Sequence, residues 1–168
     1  MKNFIKLLPI LSSILIINGC VQKQADGTYP NTYSYHPYNQ NSSSSIKEIE
    51  KIAMEQIGKK YKWGANGPEQ FDCSGFTKFV YAKQGIPLPR ISKEQAKVGQ
   101  LIRFNNLKKG DLLFFDSKRS STVSHTGIYL GDNKFIHASS TKHSVVISRI
   151  DTSYYKEHFK WGRRFILN

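Results

Sequence analysis

The chain has 168 residues, 39% of them apolar and 22% charged, with a formal net charge of +13. That is one domain's worth of sequence, long enough to bury a real core. So basic a surface calls for an anionic partner, yet no nucleic-acid-binding motif accompanies it, which argues against nucleic acid.

Residues 1–20 read as an export signal. Lys2 and Lys6 precede an apolar stretch, Leu7 to Ile17, that is too short to span a bilayer comfortably. It ends in Ile17-Asn18-Gly19-Cys20, which resembles the bacterial lipobox, although Asn18 stands where Ala, Ser or Thr is usual. The resemblance implies that Cys20 is acylated and anchors the chain to a membrane. By the same resemblance, Val21 in place of Asp after that cysteine implies, in a two-membrane bacterium, the outer membrane, facing the periplasm. An ordinary secretory signal or an uncleaved anchor is the alternative. Removing residues 1–20 leaves 148 residues and a charge of +11. An exported lipoprotein meets little nucleic acid, so the carboxylates of peptidoglycan stem peptides and anionic lipid head groups become the better anionic partners. Residues 21–45, with Pro30, Pro37, Asn39-Gln40-Asn41 and Ser42 to Ser45, are too polar to bury much and read as a flexible tether. The globular domain is expected over 46–168.

Helical spacing of Ile46, Ile49, Ile52 or Ala53, and Ile57 predicts a first helix stopped by Gly58. A second is predicted from about Ser74 to Gln84, with Asp72 as N-cap, Phe76, Phe79 and Val80 facing the core, and Gly85 ending it. Ile86-Pro87-Leu88-Pro89 must be extended. Ser92-Lys93-Glu94-Gln95 fits a capping box for a short helix closed by Gly99. Strands are predicted at 111–115, 124–130, 134–138, 145–150 and 161–167. Helices followed by a run of antiparallel strands give an α+β fold. Lys108-Lys109 and Arg163-Arg164 read as solvated positive surface. The basic loop 117–123 reads as a solvated turn or a substrate lid. His36, His143 and His158 have no supporting context.

If Cys20 carries lipid, Cys73 has no disulfide partner in the chain, an odd choice for an exported domain unless the thiol is used. At a helix N-terminus it would face unpaired N–H groups and the positive end of the helix dipole, which favour the thiolate. Two histidines can join it. His125, Gly127 and Tyr129 share one face of their strand, as do Phe135, His137 and Ser139 of the next. A three-residue loop, Gly131-Asp132-Asn133, pairs Leu130 with Lys134 and sets Gly127 opposite His137. His125 is then the diagonal neighbour of His137, roughly 7 Å away at the backbone. A two-residue loop would put the histidines on opposite faces. The chemistry offered is acyl transfer, with Cys73 as nucleophile, His125 as base or as partner in a thiolate–imidazolium pair, and His137 orienting His125. Zinc also accepts Cys-His-His, but the separations contain no short ligand pair. No cofactor or metal is expected.

Six runs in order resemble the NlpC/P60 family of cell-wall peptidases. They are Tyr61-Lys62-Trp63-Gly64, Phe71-Asp72-Cys73-Ser74-Gly75-Phe76, Gly85 to Arg90, Lys109-Gly110-Asp111 to Phe115, His125-Thr126-Gly127 to Gly131, and Phe135-Ile136-His137-Ala138. The resemblance covers about residues 46–167 and implies a papain-like fold. It implies Cys73 as nucleophile, His125 as base and His137 as the orienting residue. It also implies Tyr61 at the active site supporting the oxyanion, and Asp72 and Ser74 contacting the stem peptide. Tyr61 as a core residue beside Trp63, and Asp72 as a helix cap, remain the structural alternatives. Ala65 replaces the second glycine common after Tyr-x-Trp-Gly, a less permissive loop. The expected substrate is an amide bond of peptidoglycan stem peptides, D-glutamyl-diaminopimelate or a cross-link, cleaved by a monomer with a regulatory envelope protein as candidate partner. An amidase or acyltransferase on the same fold, or a non-catalytic wall-binding lipoprotein, are the competing readings.

Overall fold

The computed structural model describes residues 42–117 and 122–166. The export signal, Cys20 and most of the tether therefore lie outside the described residues, as does the middle of the 117–123 loop. No described helix is long and apolar enough to cross a membrane.

Helix α1 (Ser42–Met54) buries Ile49 and Ala53 and gives way to turns before Gly58, whose φ is +83°. It begins at Ser42, inside the stretch read as tether. Strands β1 (Lys60–Tyr61) and β2 (Gln70–Phe71) pair in parallel, and both are too short for an alternation to announce them. Helix α2 (Cys73–Ala82) buries Phe76, Val80 and Tyr81. Helix α3 spans Ser92–Gln95, and β3 spans Gln100–Ile102. Then come β4 (Leu112–Phe115), β5 (His125–Gly131), β6 (Lys134–Ser139), β7 (Ser144–Arg149), helix α4 (Ser153–His158) and β8 (Phe159–Arg164). The eight strands form one sheet in the order β2-β1-β7-β6-β5-β4-β8-β3. The α+β expectation stands.

Strand alternation sorts the core onto the two faces. Leu112, Phe114, Ile128, Leu130, Ile136, Ala138 and Val145 pack with α1 and α2. Leu113, Phe115, Tyr129 and Phe135 pack with Ile150, Tyr155 and Phe159. The sheet is thus covered on both sides, and α4 covers part of the second face. Periodicity did not reveal α4, because in six residues it has one buried side chain, His158.

Four expectations need correction. Ser92 does not cap α3: Ile91 holds the cap position, and Gln95, fully buried, turns away to Thr77 Oγ1 (2.9 Å) and the carbonyls of Ser74 (3.0 Å) and Pro89 (2.9 Å). Arg163 and Arg164 are not free surface. Arg163 bonds the carbonyls of Ala96 and Gly99, and Arg164 pairs with Asp111 at 2.7 Å. His158 Nδ1 lies 2.6 Å from the buried Asp116 carboxylate, whose other oxygen takes Lys160 at 2.8 Å, so α4 is pinned to the end of β4.

The β5–β6 loop is the fourth. Gly131, not Leu130, pairs with Lys134, leaving a two-residue turn in which Asp132 (φ +50°) and Asn133 (φ +58°) are both left-handed. Such turns match the right-handed strand twist. The extra residue is absorbed in a bulge between Tyr129 and Gly131. Beyond it, Tyr129 pairs with Phe135 and Ile128 with Ile136, the parity that puts His125 and His137 on one face. The loop length was misjudged, but the bulge restores the register.

Candidate active site

The start of α2 is heavily braced. Asp72 is extended (φ −93°, ψ 177°) and caps the helix, its Oδ1 accepting from Gly75 N–H at 2.7 Å. Oδ2 accepts from Gly64 N–H at 3.0 Å, and Arg90 grips both oxygens at 3.1 and 2.6 Å. Ser74 Oγ donates to Asp72 Oδ1 (3.3 Å) and accepts from Arg90 Nη1 (3.1 Å). Gly75 is required by contact: a Cβ there would stand 2.1 Å from the Ala65 carbonyl oxygen. Asp72 and Ser74, both buried, are thus committed to one another and to Arg90, which sequence reasoning left without a role.

Cys73 opens this helix, buried, with Sγ 4.0 Å from the carbonyl oxygen of Ser124, at the entry to β5. Backbone N–H groups of Thr126 and Ser74 favour the thiolate, as the helix position suggested. Burial, and secondarily the Asp72 carboxylate, outweigh them and push the thiol up to about 11. The helix terminus therefore favours the thiolate, as expected, but does not by itself bring the thiol down. The free thiol stays protonated at neutral pH.

His125 Nε2 and His137 Nδ1 lie 2.8 Å apart, with the rings nearly perpendicular. Gly127 makes room for this approach: a Cβ would meet the Phe135 ring at 2.8 Å and the His137 Cβ at 3.1 Å. Burial holds His125 down to about 4 and His137 to about 2, with His125 adding to the latter, so both imidazoles are neutral at pH 7. Phe135 stacks on His137 at 4.7 Å. The far nitrogen of His137, Nε2, is 3.0 Å from Ser148 Oγ and 3.4 Å from the Tyr155 hydroxyl.

Cys73, His125 and His137 line one solvent-open cleft with Tyr61, Trp63, Tyr154 and Tyr155. Asp72 and Ser74 do not line it. Tyr61 is partly buried, and its phenol is raised by burial, then by Cys73 and Asp72, so it remains a hydrogen-bond donor at neutral pH. Trp63 is 84% exposed at the rim and not packed against Tyr61 in the core. Among the described residues, no group of three or more His, Cys, Asp or Glu side chains is arranged to hold a metal ion. Sequence reasoning missed Ser148, Tyr155 and the Asp116–His158 pair. Ser148 was within reach of it: β6 and β7 pair Phe135 with Ser148 and His137 with Val146, so the parity argument applied to His125 also places Ser148 beside His137.

The model of the NlpC/P60 family matches residues 58–164. "Probable endopeptidase p60" of Listeria innocua is 51% identical over 86 residues, covering 51% of this chain and 18% of that protein. The chain thus spans under a fifth of the length of that relative. "Murein DD-endopeptidase MepS/Murein LD-carboxypeptidase" of Escherichia coli is 29% identical over 181 residues, covering 99% of this chain and 95% of that protein. The crystal structure of an NlpC/P60 family protein from Bacillus cereus superposes with a TM-score of 0.70 at 32% identity. It covers 73% of this chain and 40% of that one. The papain-like α+β fold follows from these likenesses.

Proposed function

The chain belongs to the NlpC/P60 family, and from that premise we propose that it is a peptidoglycan hydrolase cleaving an amide bond of stem peptides through a Cys73 acyl-enzyme. The observation that carries this reading is the His125–His137 contact of 2.8 Å in the cleft that also holds the Cys73 thiol. The activities named for its relatives, endopeptidase and murein DD-endopeptidase, support that substrate class.

His137 occupies Nε2 of His125, which leaves His125 Nδ1 to take a proton. With the thiol high and the imidazole low, the resting pair is neutral, so proton transfer accompanies attack and does not precede it. Cys73 Sγ bonds the scissile carbonyl carbon as its proton passes to His125, and the carbonyl oxygen becomes an oxyanion. The Cys73 N–H and the Tyr61 hydroxyl would donate to it. As the tetrahedral adduct collapses, the C–N bond breaks and His125 protonates the leaving amine. Water then attacks the thioester, losing its proton to His125, and the released sulfur recovers that proton. His137 is a positioning residue throughout. Asp72 and Ser74 act by fixing the nucleophile's helix, with Arg90 closing the set. The bond is either D-glutamyl-diaminopimelate or a cross-link. Acylated Cys20 would hold the domain to the outer membrane, with residues 21–41 as spacer.

Incubating the full chain with purified muropeptides and reading the products by mass spectrometry tests this. Cleavage by the wild type and none by Cys73→Ala is expected, and the product masses name the bond. Undiminished cleavage by Cys73→Ala would sink the mechanism, and binding without cleavage would favour a wall-binding lipoprotein.

A further inference from the structure

For His125 to accept a proton on Nδ1, its own proton must sit on Nε2 and point at His137. His137 Nδ1, 2.8 Å away, must then be an acceptor, so the His137 proton must sit on Nε2. The opposite assignment, with His137 donating from Nδ1, puts the His125 proton on Nδ1, where it blocks the reaction. The two states differ by where two protons sit, and the His–His contact itself does not choose between them.

The choice is made on the far side of His137, where Nε2 lies 3.0 Å from Ser148 Oγ. A hydroxyl both donates and accepts, so Ser148 selects a tautomer only if its own proton is engaged elsewhere. The Tyr155 hydroxyl, which interacts with Ser148 and lies 3.4 Å from the same ring nitrogen, is placed to take that proton. That leaves Ser148 with a lone pair for His137 Nε2–H. Tyr155 is held over the site by edge-on contacts with Phe115 and Phe135, on a helix pinned by the Asp116–His158 bond. The titratable side chains facing His137 are His125 from β5 and Tyr155 from α4.

We propose that Ser148, oriented by Tyr155, is the positioning residue that fixes the tautomers of His137 and His125 and so keeps His125 Nδ1 free to take the Cys73 proton. The relay runs Ser148 Oγ–H to Tyr155, His137 Nε2–H to Ser148, and His125 Nε2–H to His137. It rests on the catalytic reading above, but its direct test does not need turnover. Long-range nitrogen–proton NMR of the histidine rings in the full chain should show His125 and His137 both protonated on Nε2. In Ser148→Ala, His137 should populate the Nδ1–H form, kcat on muropeptides should fall about tenfold, the scale of one hydrogen bond, and KM should hold. Ser148→Thr, which keeps the hydroxyl, should restore both. A wild-type His137 protonated on Nδ1 would overturn the proposal whether or not any variant folds. So would Ser148→Ala with both tautomers unchanged, or a loss of kcat that Ser148→Thr does not rescue. If the wild type cleaves no muropeptide, the proposed reaction fails while the ring spectra still decide the tautomers.

Discussion

Cys73 is fixed by bonds within one stretch of chain, Gly64 to Gln95. Asp72 caps its helix, Arg90 and Gly64 hold Asp72, and Gln95 binds the Ser74 carbonyl. Across the cleft, His125, His137 and Ser148 stand on three successive strands, and register alone sets which way each points. The first arrangement fails gradually, because each brace is one of several. The second fails at once, because a one-residue slip turns a side chain to the other face of the sheet.

The sharpest test of that difference is to delete Leu130 and Gly131 together. The two-residue turn can survive, but it then sets Tyr129 opposite Lys134, one residue out of its pairing with Phe135. His125 should then leave the His137 face, and hydrolysis should drop about a thousandfold or more, towards the level of Cys73→Ala. Muropeptide turnover measures it, with circular dichroism to show the sheet retained. Activity near wild type would mean that the β5–β6 register is set by the other strands.

On the braced side, the largest single cost falls at Gly75. An alanine Cβ would press on a backbone oxygen at 2.1 Å, so the Ala65 loop or the helix start must move. Gly75→Ala should lose about 3 kcal/mol, read by urea unfolding. Arg90→Ala should lose less, about 2 kcal/mol, because Asp72 keeps its backbone donors when the guanidinium goes. Turnover in the folded fraction of Arg90→Ala should stay within about tenfold, since the cap still seats Cys73. If instead the remaining folded protein is inactive, Arg90 touches substrate and the brace account is incomplete.

The same contrast explains what could be read in advance. Asp72, the α2 stripe and the ending at Gly85 are local patterns, and they matched because capping and helical periodicity act over a few residues. The shared face of His125 and His137 was legible from alternation, although the loop length used to derive it was wrong. A bulge leaves no mark in alternation until it has passed, so only the far pairs carry the correct parity. Gln95 was misread because a capping pattern competed with three buried partners from distant segments. The ties of Arg164 to Asp111 and His158 to Asp116 are long-range pairings of charged residues that, in sequence, look like any exposed surface. Burial also reversed the expected sign at Cys73. A helix N-terminus is a sequence feature, whereas the depth at which it sits is set by the whole sheet.

That reversal yields the smallest expected effect and the last test. With His125 held near 4 and the thiol near 11, the proton acceptor and the proton donor are both in their working forms over the whole interval between. The ratio kcat/KM should therefore change by less than about twofold from roughly pH 5 to 9, and an acid limb should appear near His125's depressed value. A preformed thiolate–imidazolium pair would instead give a bell with both limbs inside that range. Stability should respond where activity does not. Unfolded, both histidines titrate near 6.5, so between there and the lower folded values the unfolded chain binds more protons. Their contribution is complete above about 6.5 and is lost as the pH falls towards 4, so thermal unfolding should come progressively earlier over that window. Replacing His125 and His137 together with asparagine should flatten that slope while leaving the Cys73 side, with its cap and its arginine, unaltered. An undiminished slope would place the acid-sensitive groups outside this pair.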